Sequence, residues 1–228
     1  MEPLSTYEGQ DVDDIIRESI PYSDPSDRLV LLMGPYRLLD PGYLYQNRDF
    51  NLPPDPLAPS EGAEPDLIET TLRAIAKQVS EETPATVFIA SDVDIPTKTE
   101  VGQQELKEPG MSVIDQSVAF AKVSAGNAFV FTKAGLTTGV GAESGAIPEY
   151  FDLRDSDQRT RNPQTFCIFA EAERNDGDGK KYDPKFSSAS IDEMDDAYSL
   201  RYSYFADQDD LVSKITTFVE SYVVPLSQ

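Results

Sequence analysis

The sequence predicts an α/β domain built on a mostly parallel five-stranded sheet, with helices on both of its faces. Three observations lead there. Short apolar runs such as Leu29-Val30-Leu31-Leu32-Met33 alternate along the chain with longer stretches of helical periodicity. Runs that are apolar at every position suit strands covered on both faces, the condition of a parallel sheet. The elements follow the order βαβαβαβ-β-α, and crossovers of that kind place helices on either side of the sheet. Finally, 228 residues that are 39% apolar and 10% aromatic suffice for one such core.

The elements are expected in this order. Residues 1–27 read as an acidic N-terminal extension, broken at Pro21-Tyr22-Ser23-Asp24-Pro25, with room for a short helix over Val12 to Ser19. Residues 28–228 read as a single domain. Its first strand is 28–33, ended by Gly34-Pro35-Tyr36. Pro41, Pro53, Pro54, Pro56, Pro59 and Pro65 then mark the segment 37–65 as a long loop or lid. A helix over 66–81 carries Leu67, Leu72, Ile75, Ala76 and Val79 on one face. The second strand is 86–90, and the polar stretch 92–110 reads as a loop. A helix over 113–125 is expected to end on Gly126 as its left-handed cap. The third strand is 127–132. A glycine-rich turn follows, and then a helix over 142–150 that Pro148 shortens or bends. The fourth strand is 165–170, Asn175 to Lys180 is a loop, and the fifth strand, 200–205, lies near an edge. A helix over 208–224 closes the order, with Leu211, Ile215, Phe218, Val219 and Tyr222 on one face.

Composition removes several classes of function. The chain has no histidine, so it lacks the usual general base and the commonest metal ligand. Cys167 is its one cysteine, which excludes an internal disulfide or a cysteine-built zinc site; mid-strand, it reads as a small core residue. No stretch approaches the roughly 20 apolar residues of a membrane span. The first residues have neither a basic nor an apolar leader segment, which leads us to expect a cytoplasmic protein. There are 41 acids against 19 bases, a net charge of −22. The acids are spread along the chain and no basic stripe exists, so binding to a nucleic-acid backbone is not expected. Adaptation to a saline cytosol accounts for such a surface, because salt screens its self-repulsion. A basic partner is the competing reading.

Ligands on parallel sheets collect beyond the carboxyl ends of the strands. Three segments fall there: Gly34-Pro35-Tyr36, Ser91 to Asp94, and Lys133 to Gly145. The last holds four glycines and a single acid, Glu143. Gly139 and Gly141 would let the backbone approach a ligand. Glu143, at the first turn of the next helix, would be kept ionised by the helix dipole and could serve as nucleophile or charge stabiliser. A helix-capping acid after a flexible turn is the alternative. Asp92 and Asp94 would position a ligand hydroxyl, or a metal with Glu100, unless they belong to an ordinary acidic loop. Asp115 either orients a ligand or favours a helix dipole. The spacing fits neither a dinucleotide fingerprint nor a phosphate-binding Gly-Lys-Ser/Thr loop.

Two of these segments together carry a resemblance. Met33-Gly34-Pro35-Tyr36 resembles the first strand and Gly-Pro-aromatic turn of nucleoside 2-deoxyribosyltransferases. Gly139-Val140-Gly141-Ala142-Glu143-Ser144-Gly145 resembles their glycine-rich turn with its glutamate, and TIR-type NAD-cleaving domains place a glutamate comparably. The chain also resembles proteins of haloarchaea. The resemblance covers roughly residues 28–150. It implies a flavodoxin-like fold, cleavage or transfer at an N-glycosidic bond, a small nucleoside or nucleotide as partner, and neither cofactor nor metal. Glu143 would be the catalytic carboxylate. Gly34, Pro35 and Tyr36 would shape the pocket, with Gly139 and Gly141 beside the substrate; Asp92, which matches no motif of the family, would be a candidate for a hydroxyl or base contact. The family's aspartates before its third strand and before the glycine turn are replaced here by Ser124-Ala125-Gly126 and Thr137-Thr138. That substitution favours a non-catalytic nucleotide-sensing or protein-interaction module as the second reading. Homo-oligomerisation stays open. The enzyme reading requires Glu143 to face a pocket bounded by Tyr36 and the 91–95 loop.

Overall fold

The computed structural model describes residues 5–38, 54–59, 64, 66–105, 109–172, 194 and 196–226. Two short strands, β1 (Thr6–Tyr7) and β2 (Gln10–Asp11), form a hairpin whose turn residues Glu8 and Gly9 both take positive φ, 50° and 88°. Such a turn matches the twist of the strands it joins. The Asp11 side chain then accepts from the Asp13 amide and starts α1 (Val12–Ser19), the helix expected there. Val12, Ile15, Ile16 and Ile20 are buried in one core cluster with Leu29, Leu31 and Phe120. The segment read as an extension thus supplies part of the core.

The main sheet has five strands in the order β4-β3-β5-β6-β7, every pair parallel. They are β3 (Leu29–Met33), β4 (Thr86–Phe88), β5 (Gly126–Phe131), β6 (Phe166–Glu171) and β7 (Arg201–Phe205). Numbered from β3, the order is 2-1-3-4-5, the flavodoxin-like arrangement. Alternate side chains enter two separate layers. Leu29, Leu31, Met33, Phe129, Phe131 and Ile168 pack with α1, α4 (Val113–Val123) and α5 (Thr138–Tyr150). Val30, Leu32, Ala128, Val130, Cys167 and Phe169 pack with α2 (Leu67–Glu82) and α6 (Gln208–Phe218). Burial on both faces is why the strands read as unbroken apolar runs. β7 is half polar and stands at the sheet's edge, as its alternating pattern implied.

The structure departs from the sequence reading in several places. The stretch 92–110 contains a helix, α3 (Lys98–Gln104), nucleated by a reciprocal cap between Thr97 and Glu100. Gly126 does not cap α4, which ends at Ser124; it opens β5, where an added Cβ would stand 2.5 Å from Val223 Cγ2. The final helix is not uniform either. After α6 it widens into a π-type turn over Val219–Val223, which brings Val223 against Gly126. Most of the proline-rich segment 37–65, and the loop at Asn175 to Lys180, lie outside the described residues. Within 54–59, Asp55, Leu57 and Ala58 are buried, and Thr71 Oγ1 of α2 donates to the Leu57 carbonyl at 2.8 Å. No helix among the described residues is long and apolar enough to cross a membrane.

Candidate functional site

Connections leave the sheet in opposite directions on either side of the β3/β5 pair. There the carboxyl ends of these two strands open the crevice that parallel sheets use for ligands. The loops that follow them are fastened together. Leu136 N–H donates to the Arg37 carbonyl at 2.7 Å, and Leu38 pairs with Gly135. Gly135 is required by this contact: a Cβ there would meet Pro35 Cγ at 2.5 Å and Cβ at 2.7 Å. Pro35 is therefore packed against the partner loop. Gly34 is buried beneath Leu72 of α2. Of the Gly34-Pro35-Tyr36 turn, Tyr36 is the residue whose electrostatics reach Glu143.

Glu143 lies in the second turn of α5 and is 6% exposed. Its Oε1 stands 2.6 Å from Ser117 Oγ, on α4. Among the described residues no hydrogen bond reaches its other oxygen. Burial pushes the carboxyl above the ordinary carboxylate range; a hydrogen bond from Ser117 would work the other way. The helix dipole is therefore not what sets the state of Glu143. Glu143 stands past the first turn, where the dipole acts most strongly, and its desolvation opposes charge. The Tyr36 hydroxyl is fully enclosed and its phenol is pushed up, first by burial and then by the charge of Glu143; Glu69 and Asp92 add to the effect from further off. The Ala90 backbone lies against this hydroxyl and pulls the other way, but they make no hydrogen bond of normal geometry.

Gly139 and Gly141 are not in a turn. Both belong to α5, which begins at Thr138, and the Gly141 amide closes its first turn onto the Thr137 carbonyl at 2.8 Å. Both are exposed, and nothing lies within 4 Å of a Cβ built on either. Pro148 sits within α5 two residues from its end, too late to shorten it appreciably. Asp92, in a single 3₁₀ turn (Ala90–Asp92) after β4, is bound to Arg73 of α2: Nε to Oδ1 is 2.7 Å. Arg73 also reaches Glu69 Oε1 at 3.0 Å. Asp92 is thus engaged by a cation through Oδ1. The trio Asp92, Asp94 and Glu100 does not gather. Glu100 is spent in the α3 cap, and among the described residues no group of three or more acids or cysteines could hold a metal. Asp115 joins Ser112 in the cap of α4, with Ser112 Oγ to Oδ2 at 2.6 Å. Burial pushes the Cys167 thiol up to about 12, which suits its place in the core.

A family model described as a domain of unknown function (DUF7509) matches residues 13–224. The chain belongs to this family. Its match begins within α1 and ends in the last helical segment, so every site residue named above lies within the family's domain. No curated protein and no solved structure matches the chain significantly.

Ser117, Arg73 and Glu171 were not anticipated as partners. Ser117 left a legible sign: it is a polar residue on the helix face of Val113, Ile114, Val118 and Ala121, and it is 1% exposed. Arg73 left none, since a lone base on an exposed helix face is ordinary. Glu171, at the end of β6, accepts from the Lys133 amide at 2.7 Å and so anchors the chain as it leaves β5. A separate cleft of about 710 Å³ lies beyond the ends of β6 and β7, between Pro54-Asp55-Pro56 and Ala206-Asp207-Gln208-Asp209. None of the anticipated site residues lines it.

Proposed function

We propose that this protein cleaves, or transfers a group at, the N-glycosidic bond of a nucleoside or nucleotide, with Glu143 as its working carboxyl. The observation that carries the reading is a nearly buried acid at the switch point of the sheet, within electrostatic reach of the enclosed Tyr36 hydroxyl, one of its oxygens engaged by Ser117. Loss of the base leaves an oxocarbenium-like sugar, and a carboxylate held in a water-poor site stabilises such a cation strongly. The chemistry needs no histidine. The reading agrees with the resemblance of the two glycine-bearing segments to glycosyl-transferring enzymes.

Incubation with deoxyadenosine, adenosine monophosphate and NAD at molar salt, with free base measured, is the direct test. Release by the wild type and its loss in Glu143→Gln is the expected result; equal release by both removes Glu143 from the mechanism. One observation favours a second reading, a nucleotide-sensing module without catalysis. Asp92 is engaged by Arg73, so fewer acids are left to hold a sugar. Saturable nucleotide binding without base release would select that reading. We also take the −22 charge as adaptation of a cytoplasmic protein to high salt.

A further inference from the structure

Ser117 has one hydroxyl proton and two oxygens within reach. Its Oγ lies 3.0 Å from the Val113 carbonyl, one turn back on α4, and 2.6 Å from Glu143 Oε1. A carbonyl only accepts, and a hydroxyl donates only one hydrogen bond. Each contact has a hydrogen of its own in one arrangement only. Ser117 donates to Val113 O, and Glu143, carrying a proton on Oε1, donates to Ser117 Oγ. An ionised Glu143 would leave one of the two contacts without a hydrogen. The distance of 2.6 Å lies at the short end of O–H···O hydrogen bonds.

We propose that Ser117 is a positioning residue through which Glu143 rests as a carboxylic acid, its proton held on Ser117 Oγ while Ser117 donates to Val113. Burial of Glu143 works in the same direction. The pull that Ser117 would exert toward ionisation requires it to donate to Glu143, and its proton is already given to Val113. The groups around Glu143 do not oppose a neutral state. From the loop after β3 the neutral phenol of Tyr36 lies within its electrostatic reach. Asp92 and Glu69, whose charges also reach that phenol, are both bound by Arg73. Asp115, on α4, is turned to Ser112.

This inference rests on the proposed glycosidic chemistry for its consequence. The stored proton passes to the departing base as the C–N electron pair leaves with it. The carboxylate so formed faces the cationic sugar. When the oxygen of a water bonds the sugar carbon, the proton it sheds restores the acid. Ser117 follows by turning its hydrogen toward Glu143 and back, and the Val113 carbonyl keeps its helical N–H partner meanwhile.

Infrared titration of the acid carbonyl band tests the proton without reference to activity. A band that persists above the ordinary carboxylate range, is absent in Glu143→Gln, moves in frequency in Ser117→Ala and stays in place in Ser117→Thr is the expected result. A Glu143 ionised throughout the neutral range, or a band indifferent to Ser117→Ala, overturns the proposal. Base release should also fall as pH rises through the midpoint of that band, with the fall displaced in Ser117→Ala and restored by Ser117→Thr. If none of the three probes releases base, the glycosidic reading fails, while the infrared result still decides where the proton rests.

Discussion

Glu143 places an energetic demand on the fold, because its burial disfavours the charged form. A carboxyl whose pKa is higher in the folded than in the unfolded chain binds its proton more tightly when folded. Its stabilising contribution is complete below the unfolded value and is lost as pH rises through the folded one. Burial raises Glu143, so the wild type should lose stability from the ordinary carboxylate range upward until the raised pKa is passed. Glu143→Gln keeps the shape and carries no charge at any pH. Thermal unfolding at fixed high salt should show the two proteins closest in acid. The glutamine variant should gain steadily with pH, and the gap should level off above the raised pKa. A gap independent of pH would mean that the folded protein does not perturb Glu143. The same variant thus separates two properties of one residue: it should improve stability at neutral pH while removing base release.

The elements were largely legible in the sequence because both faces of the sheet are covered, so each central strand announces itself as an apolar run ended by a turn. β3, α1 and α2 fall where periodicity puts them, and β5, β6 and β7 begin within a residue of expectation. What misled were the glycines, because glycine marks either a turn or a close approach and composition does not say which. Gly139 and Gly141 suggested a turn, yet they are exposed helical positions with open space around them. Gly126 suggested a helix cap, yet it makes room for Val223 from a chain segment almost a hundred positions away. Ser117 and Glu143 belong to different helices, and no local pattern joins them. The two kinds of glycine should answer oppositely to alanine. Gly141→Ala should stabilise by about 0.5–1 kcal/mol, since it gives up backbone freedom in the unfolded chain and meets nothing in the folded one. Gly126→Ala should destabilise by about 1–3 kcal/mol, because Val223 is β-branched and cannot swing aside easily. Pairing Gly126→Ala with Val223→Ala should cost less than the sum of the two alone. Denaturant unfolding of the four variants checks this. Strict additivity would show that the final helix yields as a body and that the contact does not hold it in place.

At the scale of the whole molecule, the packing and the surface pull against each other. The two apolar layers are those of an ordinary α/β protein, while 41 acids share the chain with 19 bases. Several bases are already committed to acids one helical turn away, as in Arg17–Asp13, Arg73–Glu69, Lys77–Glu81 and Lys214–Asp210. Such exposed pairs contribute at most about 1 kcal/mol each. The remaining acids repel one another over a range set by the ionic strength, about 3 Å at 1 M salt and about 30 Å at 0.01 M. Dilution therefore turns many short-range repulsions into long-range ones, and the folded state, being compact, suffers more than the unfolded one. The protein should be folded in molar potassium chloride, lose its fold on dialysis into dilute buffer, and recover on restoring the salt. Circular dichroism across a salt series reads this directly. Screening must be told apart from the general strengthening of apolar burial by excluded salts. Sodium chloride and potassium chloride should act alike at equal ionic strength, and sucrose, which carries no charge, should not replace either. Rescue by sucrose at low ionic strength would assign the salt requirement to the apolar layers and not to the acidic surface. Full stability in dilute buffer would show that the acids are tolerated without salt, and the adaptation reading of the −22 charge would then fail.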